Sequence, residues 1–123
     1  MARKHILIVD DSPTDVQALT DQLGQIGDFE ISVATDGEEG VKKANDLLPD
    51  LILMDIVMPG MNGFRATREI TRTEKTAHIP VLIVTTKEQM SDNIWAIRQG
   101  ACGFLNKPVD LQELKPLVEE ALA

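Results

Sequence analysis

The amino-acid sequence predicts an α/β fold in which parallel strands are crossed by helices. Two observations carry that expectation. Ile6 to Val9, Leu51 to Met54 and Val81 to Val84 are short apolar runs without polar alternation, the pattern of strands buried on both faces. Between such runs lie segments with apolar residues at helical spacing, opened by capping residues. Their alternation gives five strand-and-helix pairs, the arrangement that builds a parallel sheet.

The first strand is expected over Lys4 to Asp10. The first helix opens at Ser12 with Pro13 at its favoured first position, carries Val16, Leu19, Leu23 and Ile26 on one face, and stops at Gly27. A second strand at Glu30 to Ala34 leads through Thr35-Asp36-Gly37-Glu38 into a helix whose inner face is Val41, Ala44, Leu47 and Leu48; Pro49 prevents its continuation. Leu51 to Asp55 is the third strand. The turn formers of Met58-Pro59-Gly60-Met61-Asn62-Gly63 separate it from a helix over Arg65 to Arg72. After the fourth strand, Val81 to Val84, the stretch Thr86-Lys87-Glu88-Gln89 resembles a capping box for a fourth helix with Ile94 and Ile97 inward, ending at Gly100. Phe104-Leu105 is a brief fifth strand. Asp110 opens the last helix, lined by Leu111, Leu114, Leu117, Val118 and Ala121.

Composition narrows the function. A chain of 123 residues is one domain, and no output domain is expected within it. The net charge of -8 disfavours direct binding to nucleic acid or anionic lipid, and the absence of Tyr, with three Phe and one Trp, removes the platforms on which single-stranded bases stack. No apolar run is long enough to span a membrane. Arg3-Lys4 before Ile6 to Val9 has the charge order of a signal peptide, but Asp10-Asp11 cuts the apolar stretch short, so the expected location is the cytoplasm. The lone Cys102 excludes an internal disulfide and is expected to be a packed small apolar residue. His5 and His78 lack the spacing of a metal pair. Met54, Met58 and Met61 read as core and loop packing, and Arg65, Arg68 and Arg72, interrupted by Glu69, as a solvated helix face.

Ligands of open parallel α/β sheets bind beyond the carboxyl ends of the strands. In this chain those ends carry Asp10-Asp11, Asp55, Thr85-Thr86 and Asn106-Lys107-Pro108. Any one aspartate there could be a turn former or cap. Together, carboxylates at one edge repel unless a hard cation with oxygen ligands neutralises them, which points to Mg²⁺. With Lys107 as a point charge for one phosphoryl oxygen and the Thr85 hydroxyl for another, the set suits phosphoryl transfer onto a carboxylate.

Val9-Asp10-Asp11-Ser12, the run Leu53 to Gly63, the strand-end Thr85 and Phe104-Leu105-Asn106-Lys107-Pro108 together resemble the receiver domain of two-component response regulators, in order and spacing, across residues 1–123. The chain is similar to stand-alone receivers of chemotaxis and, in Ile56 to Thr67 and Ile83 to Lys87, to those of type IV pilus twitching motility. The resemblance implies a single flavodoxin-like (βα)5 domain with strand order 2-1-3-4-5 and helices on both faces. It also implies that Asp55 accepts a phosphoryl group from a histidine kinase. Asp11, Asp55 and the Val57 carbonyl would ligate Mg²⁺, with Asp10 reaching it through water or orienting it. Lys107 would contact the phosphoryl group, followed by a cis peptide to Pro108. Thr85 would move toward the new oxygens and Phe104 would turn inward. The switched surface would span the fourth helix, fifth strand and fifth helix, with Phe104 as a partner contact; Trp95, beside the inward Ile94 and Ile97, is either a buried anchor or a second partner contact.

Three departures from the family pattern shape further expectations. Val57 cannot orient an attacking water, which implies slow self-hydrolysis. Thr86 is bulkier than the Ala or Gly often found there and would narrow access for a phosphatase or small phosphodonor, and Phe104 lacks the hydroxyl of a Tyr. Such a protein is a phosphoacceptor catalysing only its own phosphoryl transfer, acting on an output protein of a motility or other signalling system. Two related readings stay open: a phosphate sink for a shared kinase, and a phosphorylation-independent scaffold. A Mg²⁺-dependent phosphohydrolase is disfavoured because the first strand ends Asp-Asp-Ser rather than Asp-x-Asp and a single domain leaves no room for a cap.

Overall fold

The apolar runs pair as a five-stranded parallel sheet in the computed structural model, which describes residues 3–86 and 100–123. In chain order the elements are β1 (His5–Val9), α1 (Pro13–Ile26), β2 (Glu30–Ala34), α2 (Gly37–Leu47), β3 (Leu51–Met54), α3 (Gly63–Arg72), β4 (Val81–Thr85), β5 (Gly103–Asn106) and α4 (Leu111–Leu122), the last being the fifth helix expected from sequence. The strand order is β2-β1-β3-β4-β5, as expected. The fourth helix expected from sequence, with Ile94, Trp95 and Ile97, falls on residues outside the described ones.

Strand alternation divides the core into two layers. Leu7, Val9, Ile52, Met54, Val81 and Ile83 point to one face and pack with Ala44 of α2 and Ala66 and Ile70 of α3. Ile6, Ile8, Leu51, Leu53, Leu82 and Val84 point to the other, against Leu19 and Leu23 of α1 and Leu114 and Val118 of α4. The central strands therefore bury both faces, which explains their unbroken apolar character. Each large aliphatic side chain so buried contributes about 1.5–3 kcal/mol.

Caps set where the helices start. Ser12 Oγ accepts from the Asp15 N–H, Asp36 from Glu39, Asn62 from Arg65 and Asp110 from Gln112. The Asn62 cap starts α3 at Gly63, two residues before the expected Arg65. A Cβ on Gly63 would lie 1.9 Å from the Asp55 carbonyl oxygen, so only glycine lets this helix begin so close to the end of β3.

Two packing expectations are corrected. Leu47 and Leu48 are 42% and 44% exposed; the inner face of α2 is instead Gly37, Gly40, Val41 and Ala44, whose small residues draw the helix against Val9. Leu48, at φ 48°, then leaves the helical path. Cys102 is exposed rather than packed. Its N–H donates to the Val81 carbonyl at 2.8 Å and the buried neighbour is Ala101, so the chain's inward position falls one residue earlier. The methionine expectation holds, with Met54 and Met58 buried and Met61 packed against the α2/α3 layer. Arg65 is exposed and pairs with Glu69 at 3.9 Å.

Candidate functional site

The strand register brings the polar residues together. Val9 of β1 pairs with Met54 of β3, and the next residues are Asp10 and Asp55, one step beyond the strands rather than at their ends. Thr85 pairs with Asn106 on β4 and β5, which places Lys107 one step further on. Backbone bonds continue the ladder past the strands: Asp10 N–H to Ala34 carbonyl at 2.9 Å, Asp55 N–H to Val9 carbonyl at 2.9 Å, and Lys107 N–H to Thr85 carbonyl at 2.6 Å. Asp10 and Asp55 thus flank the crevice between β1 and β3, where the strand order reverses.

Hydrogen bonds and ion pairs hold Asp10, Asp55 and Lys107. Asp10, 2% exposed, accepts from the Ser12 N–H on Oδ1 and from Lys107 Nζ on Oδ2 at 2.8 Å. Asp55, 6% exposed, accepts from the Ile56 N–H on Oδ1 at 2.9 Å, and its Oδ2 lies 3.6 Å from Lys107 Nζ. Asp11 is exposed. Oxygens of Asp10, Asp11 and Asp55 lie within 4.8 Å of one another. The peptide from Lys107 to Pro108 is cis.

The electrostatics follow from this crowding. Burial pushes the Asp55 carboxyl up to about 6; Lys107 opposes the rise, and the Asp10 and Asp11 charges add to it. For Lys107 burial disfavours the ammonium, but hydrogen bonds to Asp10 and Asp15 and the nearby Asp55 outweigh it and hold the pKa above the ordinary lysine range. One ammonium thus faces several carboxylates. An all-oxygen donor set of three acids with net negative charge fits a hard divalent cation such as Mg²⁺.

Thr85 is fully buried, and its hydroxyl has no hydrogen-bond partner among the described residues. A buried polar atom left unpaired costs about 1–3 kcal/mol, which a hydrogen bond to an incoming ligand would recover; Gln22 Oε1, Thr67 Oγ1 and Asn106 Oδ1 share that condition among the described residues. Phe104 is half-buried on β5 and packs against the α2/α3 layer. Val57 exposes 58% of its surface in the loop after β3, and Thr86 is exposed just after β4. Trp95 lies outside the described residues. One contact was not expected from sequence: Asp15 Oδ2, from the first turn of α1, also accepts from Lys107 Nζ at 2.8 Å.

The model of the response regulator receiver domain matches residues 6–119. The chain belongs to the response regulator receiver family. It is 50% identical over 123 residues to Protein PilH of Pseudomonas aeruginosa, covering 100% of this chain and 99% of that one. Among solved structures it is similar to chemotaxis protein CheY4 of Vibrio cholerae, with TM-score 0.87 and 30% identity over 98% of this chain and 100% of that one. It also superposes on the receiver domain of sensor histidine kinase PA1611 of Pseudomonas aeruginosa, with TM-score 0.87 and 28% identity over 98% of each chain. That receiver has a magnesium ion coordinated in its active-site cleft. The receiver fold and the expected strand order therefore stand together.

Proposed function

We propose that residues 1–123 act as one receiver whose Asp55 accepts a phosphoryl group from a histidine kinase. The observation that carries this reading is Asp55 itself: a buried carboxylate at the sheet's switch point, crowded by Asp10 and Asp11, with Lys107 Nζ 3.6 Å away. A free Asp55 oxygen attacks phosphorus of the phosphohistidine. The O–P bond forms as the P–N bond breaks, the electron pair stays on the imidazole nitrogen, and that nitrogen takes up a proton. Asp11, Asp55 and the Val57 carbonyl would hold Mg²⁺, with Asp10 beside them, and the ion would supply positive charge against the carboxylates and the phosphoryl oxygens.

Lys107 then pairs with one phosphoryl oxygen, and the unpartnered Thr85 hydroxyl donates to another. Gaining a partner for a buried hydroxyl favours the conformation in which Thr85 reaches the phosphoryl group, and Phe104, half-buried on the adjacent strand, fills the space released. Reversing a population from 1:99 to 99:1 takes on the order of 5.5 kcal/mol, within reach of a few charge-assisted hydrogen bonds. The switched surface, including β5, α4, Phe104 and Trp95, would meet an output protein, with motility machinery favoured by the resemblance to pilus regulators and the 50% identity to Protein PilH. Such a protein catalyses only its own phosphoryl transfer and slow hydrolysis. Cytoplasmic action fits the finding that no helix among the described residues is long and apolar enough to cross a membrane.

Intact mass after incubation with acetyl phosphate tests the reading. One phosphoryl adduct is expected in wild type with Mg²⁺, and none without Mg²⁺ or in Asp55→Asn. A panel of histidine kinases serves as alternative donors, because the exposed Thr86 narrows access for a small one. No adduct from any donor would leave the phosphorylation-independent scaffold as the better account.

A further inference from the structure

We propose that Asp15 is a positioning residue that holds the Lys107 ammonium away from Asp55, and that Lys107 must give up this contact when it engages a phosphoryl oxygen. The inference rests on the reading of Asp55 as the acceptor. Its basis is the geometry of one cation: Lys107 Nζ bonds Asp10 Oδ2 and Asp15 Oδ2 at 2.8 Å each, while Asp55 Oδ2 stays at 3.6 Å.

The sequence around α1 explains why Asp15 is available. Ser12 caps α1 by accepting from the Asp15 N–H, so Asp15 occupies the third helical position, from which an acidic side chain ordinarily reaches back to the N–H of the capping residue. Here that N–H already donates to Asp10 Oδ1 at 2.9 Å. With its usual partner taken, the Asp15 carboxylate turns to Lys107 instead.

The two contacts of Lys107 are not equal. Asp10 is 2% exposed at the side chain and Asp15 41%, so water competes for Asp15 and its bond is the weaker one to give up. The helix that carries Asp15 is also held in place. α1 is anchored by buried Leu19 and Leu23, and Gln22 Nε2 donates to the Val109 carbonyl at 2.7 Å, tying the helix to the loop that follows Lys107. Movement of the ammonium toward Asp55 therefore lengthens its bond to Asp15. Asp15 opposes the phosphoryl-bound position of Lys107, and it favours Mg²⁺ before phosphorylation by diverting the lysine from Asp55, a carboxylate of the metal set.

The test compares wild type, Asp15→Asn, Lys107→Ala and the double variant by calorimetric titration with Mg²⁺ alone and with beryllofluoride at saturating Mg²⁺. Asp21→Asn, which removes an equal charge from an exposed position on α1, is the charge control. Asp15→Asn is expected to bind beryllofluoride about three- to fivefold more tightly and Mg²⁺ about two- to threefold more weakly. Both shifts should vanish when Lys107 is Ala, and neither should appear in Asp21→Asn. Wild-type affinities in Asp15→Asn, or shifts of equal size in the Lys107→Ala background or in Asp21→Asn, would overturn the inference while leaving the acceptor reading intact. Failure of wild type to bind beryllofluoride would overturn the acceptor reading, and this inference with it.

Discussion

At the end of the sheet where β1 begins, polar groups are matched to near neighbours. The His5 N–H donates to Asp50 Oδ2 at 2.8 Å, the Asp50 N–H returns to the His5 carbonyl at 2.7 Å, and the His5 ring shares a 2.7 Å hydrogen bond with Ser32 Oγ. At the end where β1 and β3 finish, two carboxylates are buried beside a third, and among the described residues Lys107 is the cation that faces them and the Thr85 hydroxyl is buried without a partner. The first arrangement closes on itself and serves stability. The second has negative charge and an unpaired hydroxyl left over, and these are what a cation and a phosphoryl group would satisfy. A sheet stabilised by its two apolar layers can carry that deficit at one end.

The sharpest way to break the contrast is to remove the cation. Lys107 is 13% exposed at the side chain and faces Asp10, Asp15 and Asp55. Without it the buried carboxylates lose the cation that pairs with them among the described residues, and loss of one partner from a buried ionic set costs about 3–5 kcal/mol. Lys107→Ala should therefore lose about 3 kcal/mol in urea denaturation with EDTA. Added Mg²⁺ should restore much of it. An unchanged midpoint in EDTA would show that the second end is as well matched as the first.

Neutralising Asp55 should act in the opposite direction by a somewhat smaller amount. The Asp55 carboxyl is raised from 3.8 to about 6, which corresponds to about 2–3 kcal/mol of cost for the ionised form. The native state holds the proton more tightly than the unfolded chain. The stability from that proton is therefore complete below the unfolded value and is lost as pH rises through the folded one. Asp55→Asn, measured in EDTA, should match wild type near pH 4, gain on it between pH 4 and 6, and stay about 2 kcal/mol more stable above pH 7. An advantage that is the same at every pH would place its cause in packing rather than charge.

Two buried threonines refine the comparison at the level of single hydrogen bonds. Thr76 Oγ1 donates to the Ile70 carbonyl at 2.6 Å, whereas Thr85 Oγ1 has no partner among the described residues, although both residues are fully buried. Thr76→Val should cost about 1–2 kcal/mol because the Ile70 carbonyl loses its donor. Thr85→Val should be neutral or stabilising by up to about 1 kcal/mol, and should weaken beryllofluoride binding. Equal destabilisation by the two substitutions would remove the case for Thr85 as a hydroxyl held in reserve.

Most of this architecture is legible in the sequence because both-face burial and capping are local signals. Ile6 to Val9 and Leu51 to Met54 are strands wherever they are buried, and Ser12, Asp36 and Asp110 cap the helices they precede. The crowded edge is legible for the same reason, since each carboxylate follows an apolar run. Leu47 and Leu48 mislead because helical period continues in sequence past the point where glycine and alanine have set the packed face. Cys102 misleads because residue type says nothing of strand phase. Asp15 is hidden by its position: an acid in the first turn of a helix has an ordinary role there, and only the prior claim of Asp10 on the Ser12 N–H redirects it to Lys107.

Val57 offers the smallest structural perturbation and separates the chemistry of the edge from its stability. Val57 is 58% exposed two residues beyond Asp55, and its apolar side chain offers no polar group to orient a water. Val57→Asn should change stability by no more than about 0.5 kcal/mol, as for other exposed positions. An amide there can orient a water toward the phosphoryl group, so loss of the Asp55 adduct in Mg²⁺, followed by intact mass, should quicken by about three- to tenfold. That is well short of the roughly 10²-fold that a positioned general base supplies. A variant that lost its phosphoryl group more slowly than wild type would show that exposure of the edge to bulk water, and not the missing polar group, governs the lifetime.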